Sequence, residues 1–326
     1  MNAPSTEAFP PGRACCRAAK HGRAPAQAAA SPRTRGMVWI EGHEFTMGSD
    51  AFYREERPAR RVTAPDFWMD AHPVTNAQFQ AFVDATGYRT LAERQPDAAL
   101  YPDADPALLV PGSLVFTPPA ARVPLHDHRL WWAYVPGACW RHPGGPGSDL
   151  AGIADHPVVH VSYADAQAYA AWAGKALPTE IEWEFAARGG LDGAVYPWGN
   201  DFAPGGRQMA NTWQGEFPWQ NAALDGYERT SPVGAYPANG YGLFDVAGNV
   251  WEWTDTVYGH PPGVAETKSC CIPSTGLDDP DARYVVKGGS HLCAPNYCLR
   301  FRPAARQGQT LDTSTSHIGF RCVIRA

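Results

Sequence analysis

Two cysteines five positions apart, Cys293 and Cys298, have the type and spacing in this sequence that best suit chemistry. A glycine-rich run, Gly288–Ser290, precedes them, and three arginines follow: Arg300, Arg302 and Arg306. A nearby cation favours the thiolate over the thiol, and the thiolate is the form that attacks, is oxidised or binds a soft metal ion. The segment therefore predicts a reactive cysteine pair, with a structural disulfide or two buried thiols as the alternatives.

The composition predicts a globular protein with little regular structure. The chain has 326 residues, enough for a large core, of which 44% are hydrophobic and 12% aromatic. It holds 32 glycines and 31 prolines, and only 18% of its residues are charged, which indicates many turns and long loops. The sequence has no apolar run of the roughly 18 residues that a membrane span needs, so we expect no membrane partner.

Residues 1–36 differ from the rest of the chain. They are rich in Ala, Pro, Arg and Ser, and six basic residues against one acidic residue give them a charge of +5. The whole chain carries −6, so residues 37–326 carry −11. We predict a disordered basic tail over 1–36 and a single catalytic domain over 37–326. The acidic charge of that domain argues against nucleic acid as a partner.

The other cysteines and the tail suggest a reducing, cytoplasmic location. The tail lacks the apolar core of a secretion signal, although an arginine-rich segment can imitate an organellar transit peptide. Cys15 and Cys16 lie in the tail, the adjacent Cys270 and Cys271 lie in a polar loop, and Cys139 and Cys322 are isolated. A reduced protein with one special pair is the simplest interpretation of eight cysteines in a long chain.

Local signals predict three helices and several short strands. The helices begin at capping residues Thr75, Ser162 and Thr179 and end at Gly87, Gly174 and Gly189. Residues 37–49 alternate like strands around a turn, and residues 91–130 read as loop. After Tyr196 the pattern gives short strands and aromatic loops without a helix. The fold class is therefore predicted to be α+β.

Several stretches together resemble the formylglycine-generating enzyme (sulfatase-modifying factor) family. The resemblance runs from residue 36 to residue 323. Its most specific part is Gly-Gly-Ser-x-x-Cys-x-x-x-x-Cys over residues 288–298, since relatives without the activity usually lack the pair. Other matching stretches are Met37–Ile40, His72–Asn76, His156–Ser162, Leu177–Glu180, Asn239–Leu243, Gly248–Trp253 and Gly319–Cys322. The resemblance implies a variant of the C-type lectin fold.

The resemblance also implies an activity and a site. The family uses O2 and a thiol reductant to convert the cysteine of a Cys-x-Pro-x-Arg motif in an unfolded or nascent sulfatase to Cα-formylglycine. It implies copper(I) held by Cys293 and Cys298, thiolates being suitable ligands for that soft ion. Ser290 would lie beside the pair as a third catalytic residue, and Trp251 and Arg306 would contact the substrate.

Structural calcium is a further implication of the resemblance. One calcium ion would be bound by Asn211, the Thr212 carbonyl, Asp225 and the Tyr227 carbonyl. A second would be bound by Asp245, the Gly248 and Val250 carbonyls and Glu252. Carboxylate, amide and carbonyl oxygens are the ligands that calcium takes. Each of these residues taken alone is better explained by an ordinary turn or surface position, and only the combined match favours calcium.

The sequence departs from the family pattern, and two other functions stay open. Ala294 replaces a histidine that some members carry after the first cysteine, and residues 309–313 differ from the commoner Asn-Thr-Pro-Asp-Ser. A non-catalytic lectin-like module for peptide or sugar is one alternative. A non-haem iron sulfoxide synthase of the ergothioneine type is the other, but its His-x3-His-x-Glu segment is absent from this sequence. His126 and His128 are interpreted as solvated, and residues 144–147 as a turn.

Overall fold

The computed structural model describes residues 32–259 and 282–326. Within these ranges lie three α-helices and eleven strands. The helices are α1 Asn76–Thr86, α2 Tyr163–Trp172 and α3 Glu180–Arg188. The strands are β1 Met37–Ile40, β2 Glu44–Met47, β3 Arg60–Thr63, β4 Phe67–Asp70, β5 Gly112–Phe116, β6 Trp132–Pro136, β7 Trp251–Val257, β8 Arg283–Lys287, β9 Arg306–Thr310, β10 Ile318–Gly319 and β11 Val323–Arg325. Cys270 and Cys271 lie outside the described residues, as do Cys15 and Cys16.

The three helices begin where the sequence predicts, because each first turn is satisfied by a local side chain. Thr75, Ser162 and Thr179 each accept a hydrogen bond from the backbone N–H three residues on, and the side chain at that position bonds back to the cap. Gly87 and Gly189 end α1 and α3 in the left-handed conformation. These predictions are confirmed.

Two small sheets make up the frame of the domain. In the first, β4 lies between β1 and β11 and pairs antiparallel with both. In the second, the order is β10-β7-β8-β9, with β10 parallel to β7 and the other pairs antiparallel. Two hairpins, β2–β3 and β5–β6, complete the strands of the described residues. The loop that carries the cysteine pair lies between β8 and β9.

Aromatic side chains fill much of the core. Phe79 of α1 contacts Trp140, Tyr169 of α2 and Phe320, with ring centroids between 5.1 and 6.4 Å apart. This cluster also includes Trp251 and Cys293, so the reactive segment lies against the largest buried group. Such rings pin loops that have few backbone hydrogen bonds of their own.

A network of buried ion pairs joins α3 to the second sheet. Glu180 accepts from Arg306 at 2.8 and 2.9 Å and lies 3.4 Å from Lys287. Glu184 accepts from Lys287 at 2.9 Å and from Arg188 at 2.6 Å. Neighbouring cations lower the pKa of Glu184 against the opposing effect of burial. Because unpaired buried charges are costly, this network fixes β8 and β9 relative to α3.

The structure adds one hairpin that the loop prediction for residues 91–130 missed. Gly112–Phe116 pairs in register with Trp132–Pro136, and Leu114 N–H donates to the Ser314 carbonyl. Of the predicted disordered tail, the structure describes only residues 32–36. There Pro32–Thr34 form a 3-10 helix and Arg33 donates to the Gly174 carbonyl at 2.8 Å.

No helix within residues 32–259 and 282–326 has both the length and the apolarity needed to cross a membrane.

Candidate active site

The two cysteines of the predicted pair lie together and are reduced. Their sulfur atoms are 3.0 Å apart, and neither is in a disulfide. Cys293 is 1% exposed, whereas Cys298 is partly exposed. Both line an open cleft. The arrangement gives one sulfur at the base of the cleft and a second facing its opening.

The loop around the pair is held by its own backbone. Cys293 N–H donates to the Ser290 carbonyl at 2.9 Å, and Cys298 N–H donates to the Ala294 carbonyl at 2.8 Å. Gly289 has a φ of +72°, and a Cβ there would lie 2.8 Å from the backbone of Arg300. A glycine is therefore required at position 289, both for its conformation and for the close approach of the two backbone segments.

Of the two thiols, Cys298 has the lower pKa and is the first to lose its proton. Contact with Cys293 and the nearby Arg300 guanidinium lower the pKa of the Cys298 thiol, while burial raises the pKa of Cys293. Arg300 is fixed by Glu55 at 2.6 Å and lies 4.1 Å above the Tyr53 ring. The first thiolate of the pair therefore forms on Cys298, as the arginine-rich segment predicts.

Ser290 lies beside the pair, where the sequence predicts it. It is fully buried, and its N–H donates to the Cys293 sulfur at 3.4 Å. Its hydroxyl accepts from Leu292 N–H at 3.2 Å and lies 3.3 Å from His317 Nδ1. Burial lowers the pKa of His317 to about 3, so this imidazole is neutral and forms an uncharged hydrogen bond with the Ser290 hydroxyl.

The cleft above the pair has a volume of about 810 Å³, which is in the range of ligand sites. Aromatic residues line much of it: Trp131, Trp132, Phe217, Trp251, Tyr258 and Tyr297. Trp131, Phe217 and Tyr297 contact one another with ring centroids 4.4 to 5.7 Å apart and form a rigid aromatic wall. Arginines 129, 283 and 300 lie along the cleft with Glu55. An extended chain with both apolar and polar groups fits such a surface.

The two predicted substrate-contacting residues have different positions. Trp251 lines the cleft and is held by the pairing of β7 with β10, where its N–H donates to the His317 carbonyl at 2.9 Å. The Arg306 guanidinium is absent from the cleft wall and is 6% exposed, because both oxygens of Glu180 bind it. The structure therefore places Arg306 in the buried ion-pair network, and it places Arg300 on the cleft wall.

Sequence reasoning missed several residues of the cleft. His317, Tyr297, Trp132 and Tyr53 all line it. A signal for His317 existed, since it lies two residues before the Gly319–Cys322 stretch that matches the family. Tyr297 directly precedes Cys298, and its place between the cysteines could have indicated a role. Tyr53 carries no local signal, since it reaches the site by accepting a hydrogen bond from Leu299 N–H at 2.9 Å.

The cysteine pair has the donor chemistry of a copper(I) site. Two thiol sulfurs 3.0 Å apart, one of them with a lowered pKa, are the soft ligands that this ion takes. The described residues contain no group of three or more His, Cys, Asp and Glu side chains that could hold a metal ion. A metal bound by the pair would therefore have only two protein ligands there and would stay open to a third.

The first predicted calcium set has suitable oxygens: Asn211, Thr212, Asp225 and Tyr227. The Asn211 amide N–H donates to the Arg229 carbonyl at 2.8 Å, which leaves its oxygen for a cation. Asp225 accepts from Tyr227 N–H at 3.2 Å and from the Tyr236 hydroxyl at 2.5 Å. One carboxylate, one amide and two carbonyls fit calcium.

The second predicted calcium set is only partly available: Asp245, Gly248, Val250 and Glu252. Glu252 is fully buried, and its carboxylate accepts from Nε and Nη2 of Arg321 at 2.7 Å and from the Trp183 indole. Calcium would have to share this carboxylate with a guanidinium. Burial raises the pKa of Asp245 to about 6. The two sets adjoin, because a Cβ on Gly248 would meet the Asn211 carbonyl at 2.2 Å.

The loop-rich α+β scaffold presents two free cysteines in an open cleft, an arrangement that suits an enzyme with thiol chemistry. A family model described as "Sulfatase-modifying factor enzyme 1-like domain" matches residues 23–326. The formylglycine-generating enzyme of Mycobacterium tuberculosis is 56% identical over 294 residues, covering 88% of this chain and 97% of the relative. That of Thermomonospora curvata is 48% identical over 292 residues, covering 88% and 93%. The chain belongs to the sulfatase-modifying factor enzyme family.

A solved structure of another protein shows the same fold. PvdO from Pseudomonas aeruginosa matches with a TM-score of 0.56 and 24% identity, covering 89% of this chain and 94% of that one. The predicted family and the predicted α+β fold with little regular secondary structure are both confirmed.

Proposed function

We propose that this protein oxidises the cysteine of a Cys-x-Pro-x-Arg motif in an unfolded or nascent sulfatase to Cα-formylglycine. The observation that carries the proposal is the reduced Cys293–Cys298 pair in the open cleft, on a chain 56% identical to a protein named for this activity. O2 takes up four electrons: two come from the client side chain and two from an external thiol. One oxygen atom enters the aldehyde and the other leaves as water, while the client sulfur leaves as hydrogen sulfide.

The side chains of the cleft supply binding and proton control. Cys298 carries the first thiolate, stabilised by Arg300, and Cys293 keeps its proton longest because it is buried. The Ser290 hydroxyl is hydrogen-bonded to His317, and its backbone N–H donates to the Cys293 sulfur. Bound copper(I) would supply a place for the client thiolate and for O2 activation, with Cys293 and Cys298 as its protein ligands.

The shape of the cleft suits an unfolded client. The site is open and wide, so an extended segment can enter where a folded domain cannot present its cysteine. The rigid aromatic wall of Phe217 and Tyr297 offers an apolar face for the proline ring of the motif. Trp251 also lines the cleft and belongs to the same buried cluster as Cys293.

We also propose structural calcium at the set formed by Asn211, Thr212, Asp225 and Tyr227. The set lies in a long loop region without helix or strand, where a cation would cross-link turns. A cytoplasmic location is supported by the described cysteines, all four of which are free.

The test is mass spectrometry of a Cys-x-Pro-x-Arg peptide incubated with the protein, a thiol reductant and air, with and without added copper. We expect conversion to an aldehyde that reacts with a hydrazine, and we expect it to depend on copper. Cys293→Ser and Cys298→Ser should each abolish conversion. Cys139→Ser is the matched control, because Cys139 is buried but lies outside the cleft. Full activity in either pair variant would show the proposal to be wrong.

A lectin-like module without catalysis is the second candidate. The aromatic wall favours it, because such a surface could bind peptide without reaction. Under that function the peptide would bind unchanged, and both serine variants would bind it as well as the original chain does.

A further inference from the structure

We propose that a second cavity, behind the loop of the cysteine pair, is a binding site for a small organic carboxylate. The cavity has a volume of about 220 Å³ and shares no lining residue with the cleft. At roughly 30 Å³ per water it would hold about seven waters, so it fits a molecule smaller than a typical drug. The charge and hydrogen-bonding groups around it define the ligand class.

Arg229 provides the cationic end of this cavity. Its guanidinium makes no ion pair or hydrogen bond with any residue of the described chain. It lies over the turn at Gly144, where an ideal Cβ would be 3.4 Å from Nη1. It is also near enough to His160 to lower the pKa of that imidazole. Arg229 is solvent-exposed and has no counterion in the described chain, so it is available to a carboxylate at the cavity rim.

His291 provides a hydrogen-bond acceptor on the lining of the same cavity. The side chain is 4% exposed, and Nδ1 lies 2.8 Å from the Asn249 carbonyl. Since a carbonyl only accepts, Nδ1 carries the proton and Nε2 carries the lone pair. No described residue donates to Nε2, so a ligand hydroxyl or N–H would bond to this nitrogen in place of water.

The rest of the lining is mixed. Phe116, Ile153 and Val159 give it apolar surface together with two prolines, and its polar members are Asn76, Ser148, His156, Thr230 and Ser316. One carboxylate, Asp149, borders the cavity, but it accepts from Ala151 N–H at 2.9 Å. The ligand class is therefore a carboxylate with a short apolar or aromatic body and a hydrogen-bond donor.

The cavity and the cleft lie on opposite sides of the same two chain segments. His291, which lines the cavity, follows Ser290, which lines the cleft. Ser316 lines the cavity and precedes His317 in the cleft. A bound carboxylate would therefore contact the loop of the cysteine pair from behind without blocking the client.

Calorimetric titration of the full chain with 4-hydroxybenzoate tests the proposal. We expect saturable binding that weakens roughly tenfold or more in Arg229→Met, since a charge-assisted hydrogen bond is lost. Arg207→Met is the matched control, because Arg207 is also exposed and unpaired in the described chain but does not line the cavity. Phenol, which lacks the carboxylate, should bind roughly tenfold more weakly than 4-hydroxybenzoate.

Two further measurements separate this cavity from the cleft. Ile153→Phe should weaken binding by filling the cavity, and a saturating Cys-x-Pro-x-Arg peptide should leave binding unchanged. Equal affinity in Arg229→Met and Arg207→Met would overturn the proposal. So would displacement by the peptide, or the absence of saturable binding in a chain shown to be folded by its thermal unfolding.

Discussion

Replacing Glu180 by glutamine should destabilise the fold strongly, because it removes the shared acceptor of two buried cations. Glu180 is 1% exposed, binds Arg306 at 2.8 and 2.9 Å and lies 3.4 Å from Lys287. Breaking a buried pair from one side costs about 3–5 kcal/mol. Lys287 keeps Glu184 at 2.9 Å, and glutamine keeps one acceptor oxygen, so we expect about 3 kcal/mol.

Urea unfolding followed by tryptophan fluorescence measures this loss, with Glu44→Gln as the matched control. Glu44 also pairs with an arginine, Arg61 at 2.8 Å, but its side chain is 61% exposed. An exposed pair contributes about 0–1 kcal/mol. The two variants should therefore differ by about 2 kcal/mol in the free energy of unfolding. A difference below about 1 kcal/mol would refute the reasoning that burial decides the effect.

Replacing both sides of the pair offers an internal check. Glu180→Leu combined with Arg306→Met removes the acceptor and one cation together, so it should be less destabilising than Glu180→Leu alone. If Arg306 contacted the client instead, Arg306→Met alone would weaken peptide binding. The double variant would then weaken peptide binding by the same factor, whatever its stability.

Two other predictions concern the buried histidine and the glycine-rich turn. Burial lowers the pKa of His160 from 6.5 to about 4, so as the pH falls the unfolded chain binds this proton before the folded chain does. Relative to His160→Asn, the protein should therefore lose about 3 kcal/mol of stability between pH 7 and pH 4. Urea unfolding at a series of pH values measures this loss. No pH dependence of that difference would contradict it. Gly289→Ala should abolish peptide conversion and lower the melting temperature, because its Cβ would meet the Arg300 backbone at 2.8 Å. Gly147→Ala is the control: its φ is also positive, at +91°, but a Cβ there would meet open space, so this variant should convert peptide normally.

The helices could be predicted because their signals are local. Thr75, Ser162 and Thr179 each form a capping box with the residue three positions on. Four consecutive residues are therefore enough to predict where each helix starts. The strand at Gly112–Phe116 could not, because it lies in a proline-rich stretch and depends on pairing with Trp132–Pro136 and on contacts to residue 314. Tertiary partners, not propensity, make it a strand.

The site was predictable in its chemistry but less so in its walls. Cys293, Cys298 and Ser290 lie within nine residues, so their proximity follows from the sequence. The sequence could not show that Arg306 is bound by Glu180, because this partner is 126 residues away. Contact of Arg306 with the substrate stays a prediction. His317 enters the cleft through the pairing of β10 with β7, and that pairing has no local signal either.

The last strands of the described chain impose an order on its maturation. β4 receives its second neighbour only from Val323–Arg325, and Glu252 receives its counterion only from Arg321. A ribosome makes these residues after every other part of the described fold. A growing chain that already contains both cysteines therefore still has an open sheet, an unpaired buried carboxylate and no His317 beside Ser290. The enzyme should become competent in one step once residues 317–325 have been made and have paired, without a partly active precursor.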